Sequence, residues 1–521
     1  MQNIRLALRS LGCIIAFALI ATTGCNDKSA PSSATTSQTK APPRMKMTTD
    51  IPAEITTSDS IETRLGKLTL FDGFPDDATT QKVYDNLDFQ RGIEAFLNAM
   101  PGAAVTAFRP ALRNLGGTDG NVIIFEQMLD SKALWLTANT TVVYYMSWID
   151  TKSGPVVMET PPNTLGVVDD HWFRYVCDFG NAGPDKGKGG KYLFLPPGYK
   201  GDVPSGYFVM RPATYGLWAG GRGFLVNGDP KPAVDAIKTH LRIYPLAQAA
   251  KPPVTKFSNV SGVPHNTVHA NNFHFYEEVN EIVQEEPSEA LDPETLGLLA
   301  SIGIEKGKPF APDERMKKIL TEAVAVGNVT ARALAMRPRM KEAYYYPHSA
   351  WFATTPGGSY QFLSQPGVRN LDARVLFHYF YTGITPAMAI KMVGIGSQYA
   401  TATTDSQGKA LDGSKTYKIH LPPNVPMKDF WSFTLYDNQT RSMLQTDQRY
   451  PSVGSTDKGI VSNADGSVDV WFGPTLPQGV NPANWAQTVP GKGWNVIFRL
   501  YGPLEPWFDK TWKPGEFEVV Q

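Results

Sequence analysis

Residues 120 to 227 form a series of short apolar runs cut by Gly and Pro: "VIIFEQ", "TVVYYMSW", "PVVME", "FRYVCDF", "KYLFLPP" and "YFVMRP". Short runs rich in β-branched and aromatic residues and bounded by turn formers predict strands. The same texture returns after about residue 410 in "TYKIHLPP", "FWSFTLYD", "SVDVWFGP" and "WNVIFRLYGP". Elsewhere the period changes. Val83, Leu87, Ile93, Phe96, Leu97 and Met100 follow helical spacing and predict helix over 78–113. Helix is also expected over 232–246, in "GLLASIGIEKGK" and in "PDERMKKILTEAVAVGNVTARALAM", where Pro312 and Asp313 supply a start signal.

The two β regions share an order of motifs. "PPNTLGVVDDHWFRYVCD" sets Pro161, Pro162 and Asn163 ahead of Trp172 and Asp178. "PPNVPMKDFWSFTLYD" sets Pro422, Pro423 and Asn424 ahead of Trp431 and Asp437. "GGKYLFLPP" then parallels "GSVDVWFGP", and "GYFVMRP" parallels "GWNVIFRL". Four matches in one order predict two copies of one β unit. Short strands with Pro/Gly turns rarely build parallel sheets. The expected fold is therefore mainly β with a helical middle: two antiparallel β-sandwich or jelly-roll-like domains joined by a helical region.

The N-terminus changes the picture. "MQNIRLALRS" carries Arg5 and Arg9, and the apolar run "LGCIIAFALIA" that follows is too short to span a membrane but suits a signal-peptide core. It ends in "TTGC", which resembles a bacterial lipoprotein signal in which Cys25 is lipidated and becomes the mature N-terminus; ordinary cleavage and release is the alternative. Thr22 stands where that signal usually has leucine, and Asn26 in place of aspartate favours an outer-membrane address on the periplasmic side. Of three cysteines, Cys13 leaves with the signal and Cys25 carries lipid, so Cys177 is left without a disulfide partner and reads as a small core residue. Residues 26–60, rich in Ser, Thr, Pro and Lys, read as a disordered tether. With 49 basic and 49 acidic residues there is no electrostatic footprint for nucleic acid.

Several of these stretches also resemble a bacterial family. "TANTTVVYYMSWID", "GPVVMETP" and "YLFLPPGYKGDVPSGYFVMRPATYGLWAGGRGFLVNG" are similar to the N-terminal domain of unknown function numbered 1254. "SNADGSVDVWFGP", "NWAQTVPGKGWNVIFRLYGP" and "WKPGEFEVV" are similar to its C-terminal partner numbered 1214. The resemblance implies two β domains joined by helices and implies no activity. "GGRGFLVNG" stands where that family typically has a Gly-Arg-Thr element; Arg222 remains, without the threonine. The organisation expected is a signal peptide at 1–25, a tether at 26–60, a helical entry and β domain at 61–231, a helical middle and mixed connector at 232–410, and a C-terminal β domain at 411–521.

Candidate chemistry is sparse. Phosphate loops, dinucleotide fingerprints, nucleophile elbows and His-Glu-x-x-His are all missing. "VPHNTVHANNFHFYEEVNE" holds His265, His269 and His274 just before Glu277 and Glu278. Asn271 or Asn272 caps a helix there, so the imidazoles straddle its start and make no i, i+4 clamp. No metal and no cofactor is expected. His269 with His274 or Glu277 is the acid/base reading, the hydrolase or lyase version using His269 and Glu277; helix capping and packing is the other.

Aligning the copies puts Arg174 opposite Phe433. Arg211 falls opposite Phe498, or opposite Arg499 after a shift of one. If Arg174 lies on a strand it shares a face with Trp172, and a buried guanidinium there needs an anion; the opposite face, Phe173 to Phe179, is equally apolar and would leave Arg174 in water. The function expected is binding, or modification, of a small amphipathic or anionic molecule in a pocket between the first β domain and the helical middle. Arg174, Arg211 and Arg222 hold the anion, Asn139 and Tyr144 shape the pocket, and His269 is available for proton transfer. The partners expected are a small-molecule ligand and a membrane, the latter through the lipid anchor only. The rival reading is a structural or protein-interaction envelope lipoprotein without catalysis.

Overall fold

The computed structural model describes residues 43–520; the signal segment, Cys25 and the tether up to residue 42 lie outside the described residues. The chain divides into two units, Met1–Pro75 and Asp76–Gln521. In the described part of the first unit, Ser60–Thr63 pairs antiparallel with Gly66–Phe71, which pairs in turn with Phe74–Pro75.

The second unit opens with two helices, α1 (Asp77–Thr106) and α2 (Phe108–Leu115). Asp76 caps α1 by accepting from the Thr79 amide, and Ala95, Phe96, Ala99, Met100 and Ala103 form its buried stripe. Gly102 on this helix lies under Trp172, where a Cβ would come within 2.6 Å of the indole.

Eight strands of the first copy follow. They are β1 (Val142–Asp150), β2 (Val156–Glu159), β3 (Thr164–Asp170), β4 (Tyr175–Gly180), β5 (Lys191–Phe194), β6 (Phe208–Met210), β7 (Gly216–Phe224) and β8 (Arg242–Pro245). Helix α3 (Lys231–His240) lies between β7 and β8. The middle holds α4 (His274–Glu285), α5 (Pro293–Ser301), α6 (Glu314–Met336) and α7 (Leu371–Phe380). The second copy has β9 (Ser397–Ala402), β10 (Thr416–Leu421), β11 (Met427–Asp437), β12 (Ser452–Gly454), β13 (Val468–Gly473), β14 (Trp485–Gln487), β15 (Trp494–Pro503) and β16 (Glu518–Val520).

The repeat expected from the sequence is present in the eight numbered strands of each copy; the larger sheets differ at one edge, where the first copy adds Phe257–Asn259 beyond Val122–Ile124. In the first copy the larger sheet runs Phe257–Asn259, Val122–Ile124, β1, β7, β3, β4, and the smaller runs β6, β5, β2, β8. In the second copy the larger runs Phe352–Ala353, β9, β15, β11, β12, and the smaller runs β14, β13, β10, β16. Each numbered strand of one copy thus has its counterpart eight numbers later, and the parallel pair of the smaller sheet is reproduced, β5 with β6 and β13 with β14. The sheets are therefore mixed rather than purely antiparallel. Among the described residues helix and strand are nearly balanced, at 27% and 28%, and helix is not confined to the middle.

In each copy the two sheets share one apolar core. Val143, Tyr145 and Ile149 of β1 and Leu217 of β7 meet Met158, Tyr192 and Phe194 of the smaller sheet, with Cys177 buried among them. Phe433, Leu435, Trp494, Val496 and Phe498 meet Tyr417, Ile419, Val470 and Phe472 in the second copy. The opposite faces of the larger sheets are buried too. Met146, Trp148, Val167 and Trp218 of the first copy join Tyr399, Tyr436 and Ile497 of the second in a single cluster with α1, α4, α6 and α7. This two-sided burial explains why β1 reads as a nearly unbroken apolar run instead of alternating.

Candidate functional site

The face of β7 turned away from the first copy's core carries Trp218, Gly220 and Arg222, since residues two apart share a face. Register sets Tyr144 of β1 and Leu165 of β3 directly beside Arg222. In the second copy, β15 carries Arg499 on the corresponding strand, and register sets Tyr399 of β9 and Ser432 of β11 beside it. Arg222 with Tyr144 and Arg499 with Tyr399 are thus the same arginine–tyrosine neighbours in two copies of one unit. Both pairs line one cavity of about 80 Å³ between the two larger sheets. Trp135, Met146, Val167, Trp218 and Ile497 supply its apolar wall, and the connector from Tyr381 to Tyr399 closes a side. That connector is pinned: the Thr382 amide donates to Thr137 Oγ1 at 3.1 Å and the Ile384 amide to Asp169 Oδ2 at 2.9 Å.

The polar groups interlock across the copies. Asn139 Nδ2 donates to the hydroxyls of both Tyr144 and Tyr501, each at 2.9 Å. Tyr436 donates to Ala138 O at 2.6 Å, and Arg499 Nη2 reaches Thr137 O at 2.7 Å and the Tyr436 hydroxyl at 2.5 Å. Arg499 Nη1 and Trp218 Nε1 are buried with no hydrogen-bond partner among the described residues. The groups that act most strongly on the two guanidiniums are tyrosines: Tyr399, Tyr144 and Tyr501 for Arg222, which Asp178 also feels, and Tyr436, Tyr501 and Tyr144 for Arg499. Burial pushes the Tyr399 hydroxyl up, but Arg222 and Arg499 together draw it below the ordinary tyrosine value. At Tyr144 and Tyr436 burial wins and the hydroxyls are held above that value. Asp178 is the acidic group on the cavity wall; burial pushes it up to about 6, against hydrogen bonds from Thr385 and Tyr175 and the charge of Arg222.

Of the residues singled out in the sequence, Asn139, Tyr144 and Arg222 line this cavity. The others lie elsewhere. Arg174 is not on a strand but at the end of the turn between β3 and β4, where Phe173 takes a φ of +54°. Its guanidinium is spent on Asp170 Oδ2, at 2.7 Å, and on Ala290 O, at 2.6 Å. Arg211 is exposed, just after β6.

His269 is buried against Phe96, Phe275 and Tyr379, away from the cavity. Its Nδ1 lies 2.9 Å from Ala270 O and its Nε2 3.3 Å from the Arg441 guanidinium, so both nitrogens are engaged. Burial, reinforced by Arg441, pushes it down to about 3, so the ring stays neutral. Glu277 is exposed and pairs with His274 at 2.5 Å, while Glu278 is the residue that accepts from the Ala270 amide. The acid/base pair expected of His269 and Glu277 therefore does not form; the histidine is a buried joint between the α4 entry and the turn after β11. His269→Ala is expected to cost about 2 kcal/mol of stability, by stranding an Arg441 donor and opening a void, and to leave ligand affinity unchanged; denaturant unfolding and calorimetry check both.

The repeat alignment explains what the sequence reading missed. It matched "GYFVMRP" with "GWNVIFRL", but the former is β6 and the latter β15. The counterpart of β15 is "GLWAGGRGF", β7, so Arg499 corresponds to Arg222, not Arg211. Strand length carries the missing signal: β7 and β15 are the long central strands, with 9 and 10 residues, while β6 has 3.

A second cluster invites a metal reading. Ligand atoms of His171, Glu285 and Glu286 lie within 4.8 Å of one another. Glu286 accepts from His171 Nδ1 and from the amides of Tyr215 and Gly216, and Glu285 is taken by Arg109, so this is a cross-link within the fold.

Two family models match the chain: a protein of unknown function (DUF1254) over residues 121–245, and a protein of unknown function (DUF1214) over residues 396–505. No curated protein matches. Among solved structures, the VPA0106 protein from Vibrio parahaemolyticus is similar at 21% identity and a TM-score of 0.50, covering 84% of this chain and 100% of its own. An uncharacterised protein from Burkholderia cenocepacia aligns at 14% identity and a TM-score of 0.38, covering 85% of this chain and 97% of its own. The arginine–tyrosine cavity is thus bounded by segments of both matched regions, and the chain matches the models for the domains of unknown function 1254 and 1214, in that order from N- to C-terminus.

Proposed function

We propose that the chain binds a small amphipathic anion, a carboxylate foremost, in the cavity between its two β copies. The observation that carries this is the convergence of Arg222 and Arg499, guanidiniums from corresponding strands, on one cavity where tyrosines surround both and Asp178, which acts on Arg222, is the acidic group on the wall. A buried cation without an anion is costly, and a ligand carboxylate offers the planar acceptor that a guanidinium fork fits best. Trp135, Met146, Val167 and Trp218 would take a short apolar body, and about 80 Å³ keeps the ligand small. We also infer that each copy is a β-sandwich of jelly-roll type, supported by its two sheets closing on one core, and that Cys25 anchors the chain in a bacterial envelope with this cavity facing the periplasm.

Titration calorimetry with hexanoate tests the reading: the anion binds and hexanol does not. Equal affinity for both would remove the arginines from recognition. The pH dependence has a definite sign. Asp178 loses its charge as pH falls through about 6, which takes one negative charge from the cavity wall. Hexanesulfonate, whose own charge is constant, should therefore bind about threefold to tenfold more tightly near pH 5 than near pH 7.5. Asp178→Asn should flatten that profile; a slope that persists in the variant assigns it to another group.

A further inference from the structure

A second cavity, of about 270 Å³, shares no lining residue with the first. The connector separates them, with Ile384 facing the second while Gly383 and Thr385 face the first. Three arginines line the second cavity, Arg174, Arg369 and Arg374. Arg174 is neutralised by Asp170. Arg374 has no such salt bridge: its Nη2 donates to the amide oxygen of Asn98, a neutral acceptor, and its Nε is buried with no hydrogen-bond partner among the described residues. Arg369 donates to Gln361 O, again a neutral acceptor, and repels Arg374. Asp292, the carboxylate on this wall, is spent on the N-cap of α5, where it accepts from the Thr295 amide at 2.9 Å and its hydroxyl at 2.8 Å. His378 adds no charge, because burial pushes it down to about 3.

Two cations without a direct salt bridge among the described residues thus stand beside an aromatic wall, Asp292 and Glu94 attracting Arg374 only from further off. Tyr175 and Tyr360 meet edge to face at 5.4 Å, and Phe362 lies next to them. We propose that this cavity is a separate binding site for a flat aromatic carboxylate, its acid group on Arg369 and Arg374 and its ring against Tyr175, Tyr360 and Phe362. The guanidiniums supply bidentate donors and the tyrosine edges suit the face of a second ring. The site stands independently of the first cavity, so either can fail alone.

The test is titration calorimetry with naphthoate and with its neutral alcohol. Naphthoate is expected to bind the native protein, and Arg369→Gln and Arg374→Gln are each expected to weaken it about tenfold or more, about 1.4 kcal/mol or more. Arg499→Met should leave it unchanged, and the alcohol should bind at least about tenfold more weakly than naphthoate. Arg369 is exposed and donates only to a backbone oxygen, so its variant decides the matter even if Arg374→Gln fails to fold. No binding by the native protein overturns the proposal, as does unchanged affinity in Arg369→Gln. Loss in Arg499→Met alone would place naphthoate in the first cavity and overturn it equally.

Discussion

Arg499→Met is expected to weaken hexanoate binding at least about a hundredfold while shifting the melting temperature by only a few degrees. The affinity loss follows from a charge-assisted hydrogen bond at the free Nη1, worth about 1.5 to 3 kcal/mol, and from removal of the buried positive charge that attracts the carboxylate. The stability expectation is less obvious, because Arg499 is fully buried and bonded to Thr137 O and the Tyr436 hydroxyl. Losing those bonds strands one carbonyl; Tyr436 keeps its own bond to Ala138 O. Against this, methionine removes a buried charge whose Nη1 has no partner, and replacing buried ions by apolar side chains of similar size is often neutral or stabilising. Binding sites commonly hold such uncompensated groups at a cost in stability. Arg499→Lys, with charge but no fork, should fall between. If Arg499→Met melts more than about 10 °C lower, the arginine is a structural bridge between the copies and the cavity loses its claim to a ligand.

The strands and the duplication were legible because they rest on local pattern. The "PPN" turns, with Asn163 and Asn424 both at positive φ, and the run after "GGK" or "DGS" recur in one order whatever surrounds them. Register was not legible. Trp172 sits in the turn after β3 whereas Trp431 is central in β11, so matching tryptophans misplaced Arg174 by a whole element. Counting from the paired arginines instead aligns Asp170 with Asp437, the last residues of β3 and β11, across from Leu217 and Trp494. The cavity itself was half visible. Asn139, Tyr144 and Arg222 lie in the first copy, but their partners Tyr399 and Arg499 are supplied by the fold from far along the chain. The histidine cluster misled for a converse reason: three imidazoles near a helix start stand out in a sequence, yet each of their environments satisfies them locally.

Glu286→Ala is expected to be the most destabilising single substitution outside the β cores, costing about 3 to 5 kcal/mol. Its carboxylate, just past the end of α4, accepts from His171 Nδ1 at 2.7 Å, the Tyr215 amide at 2.6 Å and the Gly216 amide at 3.0 Å. Those donors belong to the β3–β4 turn and the start of β7, so one side chain fixes the helical middle to the sheet that carries Arg222. Alanine leaves three buried donors without an acceptor, at about 1 to 3 kcal/mol each before relaxation. Glutamine keeps one oxygen and should cost about half as much, which separates loss of charge from loss of shape. Burial pushes the Glu286 carboxyl up, but His171 and the two amides outweigh it and hold the group below the ordinary glutamate value. A depressed carboxylate contributes stability that is fully present above its unfolded value, about 4.3, and is lost as pH falls through the folded one. Denaturant midpoints of the native protein should therefore decline below about pH 4.5, and the gap between native and Glu286→Ala should narrow over that range. A gap that stays constant down to about pH 3 would mean that the helix-to-sheet joint is held by packing around His171 and Trp148, whose rings meet at 4.8 Å, rather than by the ionised carboxylate.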